Sequence, residues 1–104
     1  MLPQVIAKGD LVDSVREKTK CEKYVVQAVV NAFLESIKEE LAAGNKVMLR
    51  GFGTFGPRLM KGRDNAHNPR TGETLSVAPR YVPAFKSGQE LKQALAKLPV
   101  PNEQ

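Results

Sequence analysis

The chain has 104 residues, 26% of them charged, with 16 Lys and Arg against 11 Asp and Glu, a net charge of +5 and a pI near 9.6. That length suits one domain; a single cysteine excludes an intrachain disulfide, and one cysteine with one histidine argues against a zinc site. No apolar run approaches the roughly 18 residues of a membrane span, and no basic amphipathic helix is in view, so no membrane partner is expected.

The charge is unevenly placed. Residues 1–45 carry six Lys and Arg against seven Asp and Glu, whereas residues 46–104 carry ten against four. The basic character therefore belongs to the second half, and it points to a polyanionic partner. The opening Met1-Leu2-Pro3-Gln4-Val5-Ile6 is too short for a secretory signal and lacks its charged start, so a cytoplasmic protein is expected.

Residues 1–7 have no periodicity, and Pro3 argues against helix there. From Lys8 the apolar spacing of Leu11, Val12 and Val15 predicts a helix over 8–19, with Asp10 and Asp13 in the early turns where the helix dipole favours acids. Thr19-Lys20-Cys21-Glu22 interrupts the pattern. A second helix is predicted over 22–43, stopped by Gly44-Asn45 in a left-handed turn, so the two form a hairpin. Cys21, at its corner, is expected to be a small packing residue.

The second helix carries Tyr24, Val25, Val26, Ala28, Val29, Val30, Ala32, Phe33, Leu34, Ile37 and Leu41, which cover far more than one stripe. A helix apolar around most of its circumference must lie inside something. A body of roughly two thirds of this chain has too little of its own to surround it. An obligate dimer with this helix at its centre is expected.

Lys46 to Phe55, KVMLRGFGTF, predicts a short strand, a turn at Gly51-Phe52-Gly53 and the start of a second strand. With Gly56 the glycines spell G-x-G-x-x-G, but a dinucleotide fingerprint opens a helix inside a βαβ unit, whereas here Pro57 and a basic stretch follow. A kinase loop would need further motifs and more chain, so no enzyme is expected. Two readings stay open for Gly51 and Gly53: backbone N–H groups offered to a DNA phosphate, or steric need at a turn.

Gly56 to Val82 is a span in which cations, glycine and proline displace the apolar residues of a core. Asn68-Pro69-Arg70-Thr71-Gly72 is turn chemistry, with Pro69 presetting φ and Gly72 able to take the positive φ of a bulged hairpin. The span predicts two strands meeting at a proline tip. Arg58, Lys61, Arg63 and Arg70 are offset by Asp64 and Glu73, which suits phosphates tracked by cations while a rigid apolar tip opens a base step. A solvated surface loop is the alternative.

Val82-Pro83-Ala84-Phe85 leads out of the returning strand. Ser87-Gly88-Gln89-Glu90 reads as an S-x-x-E capping box for a third helix over 88–98, with Leu91, Ala94, Leu95 and Leu98 inward and Pro99 as its stop. Lys92 and Lys97 suit a solvated face, as does Lys86, which beside the base of the ribbon can also meet backbone phosphate.

Three motifs in this order, Gly51-Phe52-Gly53-Thr54-Phe55, Asn68-Pro69-Arg70-Thr71-Gly72-Glu73 and Pro83-Ala84-Phe85-Lys86-Ser87-Gly88, resemble the bacterial histone-like HU and integration host factor family over residues 8–98. The resemblance implies an α+β fold: an intertwined dimer with an N-terminal helical hairpin, a three-stranded antiparallel sheet with a protruding β-ribbon arm over about 56–82, and a short C-terminal helix. It implies that each ribbon wraps double-stranded DNA in the minor groove and that Pro69 enters between base pairs, flanked by Asn68 and Arg70, with Arg58, Lys61 and Arg63 lining the ribbon. Thr71, Gly72, Arg80, Lys86, His67, Gly51 and Gly53 complete the DNA-contact set. Residues 1–7 and 99–104 are then an N-terminal extension and a tail.

The chain departs from the family pattern in a longer N-terminal extension, in lacking the usual Arg-x-x-Arg-x-Gly-Arg run just before Asn68-Pro69, and in two further places. Between Phe55 and Asn68 it is one residue longer, and His67 stands where an arginine is usual. His67 is either a polar residue beside a turn or an imidazole in the groove that strengthens binding below about pH 6.5.

The function so implied is a histone-like, nucleoid-associated architectural protein that bends and compacts DNA with little base specificity. It would act as a homodimer without cofactor, metal or small-molecule substrate. Three alternatives are a heterodimer, a sequence-preferring subunit like integration host factor and, in another class, a protein-interaction scaffold that lays the ribbon on an acidic surface.

Overall fold

A computed structural model of the chain describes residues 4–67 and 74–101. The chain divides into two compact units, residues 1–39 and 40–104.

The first unit is a helical hairpin. Helix α1 spans Lys8–Thr19 and α2 spans Lys23–Ala42, running on into the second unit. Helix α1 begins where the Ala7 N–H donates to Asp10 Oδ2 at 3.0 Å, so the carboxylate placed by the early-turn pattern satisfies a free amide of the first turn. It ends at Lys20, whose φ of 62° is left-handed and whose N–H returns to the Arg16 carbonyl at 2.8 Å. Lys8 Nζ donates to Asn31 Oδ1 at 2.8 Å and Lys23 lies 3.6 Å from Asp13. These pairs close in on the corner from both sides, as an antiparallel hairpin requires.

Only Val12 and Val26 are buried apolar residues among those described. Leu11 and Val15 on α1, and Tyr24, Val25, Val29, Phe33 and Leu34 on α2, are exposed, Tyr24 by 72% and Val29 by 63%. Cys21 is also exposed, contrary to its expected packing role. The corner is held by Thr19, whose hydroxyl donates to the Val15 carbonyl at 2.8 Å and accepts from the Cys21 N–H at 3.3 Å.

In the second unit, Gly44 ends α2 with φ of 88°, and the Asn45 N–H and side-chain amide both bond Glu40 at 3.0 Å. Strands β1 (Val47–Leu49), β2 (Gly53–Met60) and β5 (Arg80–Ser87) form an antiparallel sheet in the order β1-β2-β5. A separate ladder joins β3 (Arg63–His67) to β4 (Thr74–Val77). The expected single ribbon is thus two ladders, interrupted at Lys61-Gly62 and Ala78-Pro79. Within the second ladder Arg63 pairs with Val77, but Ala66 pairs with Leu75, so β3 holds one more residue than β4 between those pairs. The register thus shifts by one residue between Arg63 and Ala66, as it does at a β-bulge.

Two boundaries differ from expectation. The first turn is Arg50-Gly51-Phe52, closed by the Phe52 N–H on the Leu49 carbonyl at 2.9 Å, and Gly53 is already the first residue of β2. Helix α3 spans Gln89–Ala96, with Gly88 as N-cap and no side-chain cap bond. Ser87 stays extended opposite Gly53 in the β2–β5 ladder, and the Gly88 N–H is committed to the Phe52 carbonyl at 2.8 Å, so the serine is one residue too early to cap. Pro99 disfavours helical backbone at Leu98, which explains the earlier end. Leu95 and Leu98 are exposed, and Leu91 is half-buried.

Candidate nucleic-acid interface

The register of the three-stranded sheet sorts its side chains. Met48 pairs with Thr54 and Thr54 with Lys86, whereas Val47 pairs with Phe55 and Phe55 with Phe85. Directly opposed residues share a face and neighbours alternate. Even-numbered residues therefore occupy one face and odd-numbered residues the other. The odd face is apolar: the Phe55 and Phe85 rings lie 4.7 Å apart, the Phe52 and Phe85 rings 5.6 Å apart, and Val47, Leu49, Leu59 and Tyr81 continue it.

Pro57 opposes Pro83 directly. Neither can donate to the ladder, so this is a non-hydrogen-bonded pair, with both ring nitrogens turned outward. In the register β1 reaches only Phe55. The prolines therefore blunt both edges of the sheet where it narrows to two strands.

The even face carries Arg58, Arg80 and Lys86 with Met48 and Thr54, and Lys46 joins it from the approach to β1. Lys46 Cγ would lie 3.3 Å from a Cβ on Gly56, which places the lysine stem over that glycine. Lys46, Arg58 and Lys86 line one groove. No acidic residue falls on this face of β1, β2 and β5, and none of these four cations makes an ion pair among the described residues. Arg58 Nη2 donates to Met60 Sδ at 3.6 Å, a weak hold that leaves the guanidinium free to meet an anion. Lys46 was absent from the expected set. Its signal was the period of two running back from Thr54 through Met48, which only the pairing register makes visible.

Lys61 is exposed at the interruption between the ladders. Arg63 and His67 are the first and last residues of β3. Asn68, Pro69, Arg70, Thr71 and Gly72 lie outside the described residues. The structure supplies a steric reason for both turn glycines. Gly51 has φ of 81°, with Glu90 Oε2 3.1 Å from where its Cβ would be. A Cβ on Gly53 would lie 2.6 Å from both the Lys86 carbonyl oxygen and the Phe85 ring. Gly53 is buried between β1 and β5, and Gly51 lies beside the Glu90 carboxylate, so both positions have a steric need for glycine.

The sequence matches the family model described as bacterial DNA-binding protein over residues 6–96. It is 49% identical over 88 residues to the DNA-binding protein HU of Streptococcus thermophilus, covering 85% of this chain and 96% of that one. It is 42% identical over 94 residues to the HU protein of Thermus thermophilus, covering 90% and 96%. Among solved structures, the Anabaena HU–DNA cocrystal matches with a TM-score of 0.83 and 40% identity, covering 89% of this chain and all of that one. HU from Thermotoga maritima matches with a TM-score of 0.60 at 29% identity, covering 86% and 98%. Sequence and fold thus agree, and the chain belongs to the bacterial DNA-binding protein family to which the HU proteins belong.

Proposed function

We propose that two copies of this chain intertwine into a homodimer that binds double-stranded DNA and bends it as a histone-like architectural protein, with little dependence on base sequence. The observation that carries this reading is the even face of the sheet, where Lys46, Arg58, Arg80 and Lys86 stand without a carboxylate and lead into the cationic arm. Phosphates bound by such cations fix orientation without reading bases. The working module is residues 8–98, flanked by the extension 1–7 and the tail 99–104, and its place is the cytoplasmic nucleoid. It needs no cofactor, and its action is binding and deformation of the duplex rather than catalysis. Among the described residues no helix is long and apolar enough to cross a membrane. The HU name of the relatives favours this reading over a sequence-preferring subunit.

If Arg58, Lys61, Arg63 and Arg70 of both copies engage, about eight phosphates are neutralised and log K falls against log salt with a slope of roughly −7, steeper where Lys46, Arg80 and Lys86 engage as well. Titrating a random linear duplex at several salt concentrations measures it. In a two-dye duplex, Pro69→Ala is expected to reduce bending more than binding, since the wedge is lost and the cations are kept. A slope near zero removes the phosphate contacts, and unchanged bending by the proline variant removes the wedge.

A further inference from the structure

The interruption of the arm is built around Gly62. Met60 opposes Arg80 at the end of one ladder, and Arg63 opposes Val77 at the start of the next, so neither strand gains a residue across the gap. The two chains pass very close there. A Cβ on Gly62 would collide with the Val77 carbonyl oxygen and would lie 2.9 Å from Pro79 Cδ and 3.0 Å from Pro79 N. Gly62 has no positive φ, so glycine is required for space and not for backbone freedom. The atoms in the way are backbone and a closed ring, neither of which can rotate aside as a flexible side chain would.

We propose that Gly62, backed onto Val77 and Pro79, is a positioning residue: the close approach it permits sets the direction in which β3 and the cations beyond it leave the sheet, and with it the curvature imposed on bound DNA. This rests on the DNA-bending reading above. Strands rise about 3.3 Å per residue, so β3 reaches roughly 16 Å past the junction, and a small parting of the chains at Gly62 grows along that lever. A substitution here changes no charge. Affinity that comes from phosphates and aim that comes from the junction can therefore be separated.

The test is saturation binding of the full chain to a duplex carrying a dye at each end, at several salt concentrations, with thermal melting of each free variant. Gly62→Ala is expected to lose energy transfer in the saturated complex while its salt slope stays at the parent's value, and any fall in its melting temperature is expected to leave the free variant folded at the temperature of the titration. Pro79→Ala, which removes the ring without adding a clash, is expected to shift the transfer too. Gly9→Ala, where an added Cβ meets nothing within 4 Å, is expected to leave it unchanged. Parent-like transfer in both junction variants overturns the proposal, as does a Gly62→Ala slope that falls together with the transfer, since the arm has then let go of the duplex. A parent that binds without raising energy transfer defeats the bending reading itself, before any variant is compared.

Discussion

At Gly53 the missing side chain is what allows β2 to sit between β1 and β5 while the Phe85 ring folds over it: the ring and the Lys86 carbonyl oxygen both come within 2.6 Å of the Cβ position. Gly53→Ala must push one of them back, and overpacking of this kind costs about 1–3 kcal/mol. A lower melting temperature at fixed protein concentration, with DNA affinity kept well below the transition, is the expected outcome. Arg58 is the opposite case, held only by a long contact to the Met60 sulfur and exposed. Arg58→Ala is expected to leave the melting temperature alone, weaken binding to all sequences and flatten the salt slope by about one to two units per dimer. A loss confined to particular sequences would assign Arg58 to base reading instead. Before folding, Gly51 and Gly53 look alike, flanking one phenylalanine. Only the strand pairing separates a positive-φ turn residue from a contact-limited strand residue.

Elements whose ends are decided locally were legible in the sequence. Asp10 in the first turn and Gly44 after the last give α1 its start and α2 its stop, and both are made by residues within a few positions of the end. The α1 end tests this: Asp10→Ala frees the Ala7 N–H and removes a charge favoured by the helix dipole, at about 1 kcal/mol. A lower urea midpoint with an unchanged m value is the expected result; an unmoved midpoint would make the 3.0 Å contact inconsequential. Helix α3 was misread because a distant element competes for its cap. Ser87 is held in register with Gly53, and Phe52 takes the N–H of Gly88. The division of the arm into two ladders was likewise hidden, since Lys61-Gly62 and Ala78-Pro79 are unremarkable until the strands bring them together. Lys46 escaped notice for the same reason, because its face depends on pairing with β2.

For the molecule as a whole, the single protomer leaves more apolar surface in water than a stable fold allows. With Val12 and Val26 its only buried apolar residues among those described, it has almost no interior, while Phe33 is 53% exposed, Val29 63% and, on the odd face of the sheet, Tyr81 70%. Fully burying a side chain of this size stabilises by about 1.5–3 kcal/mol, and several per copy suffice to make folding and association one event. The apolar residues around most of the second helix require the same partner. Placing a carboxylate in the middle of the α2 surface should therefore abolish folding as well as pairing. Phe33→Asp is expected to sediment as a monomer with reduced helical circular dichroism, while the parent remains a dimer on dilution until its helical signal and its mass fall together. A Phe33→Asp monomer with full helical content and a cooperative melt would show that α2 is not the centre of a shared core, and the homodimer would lose its physical basis.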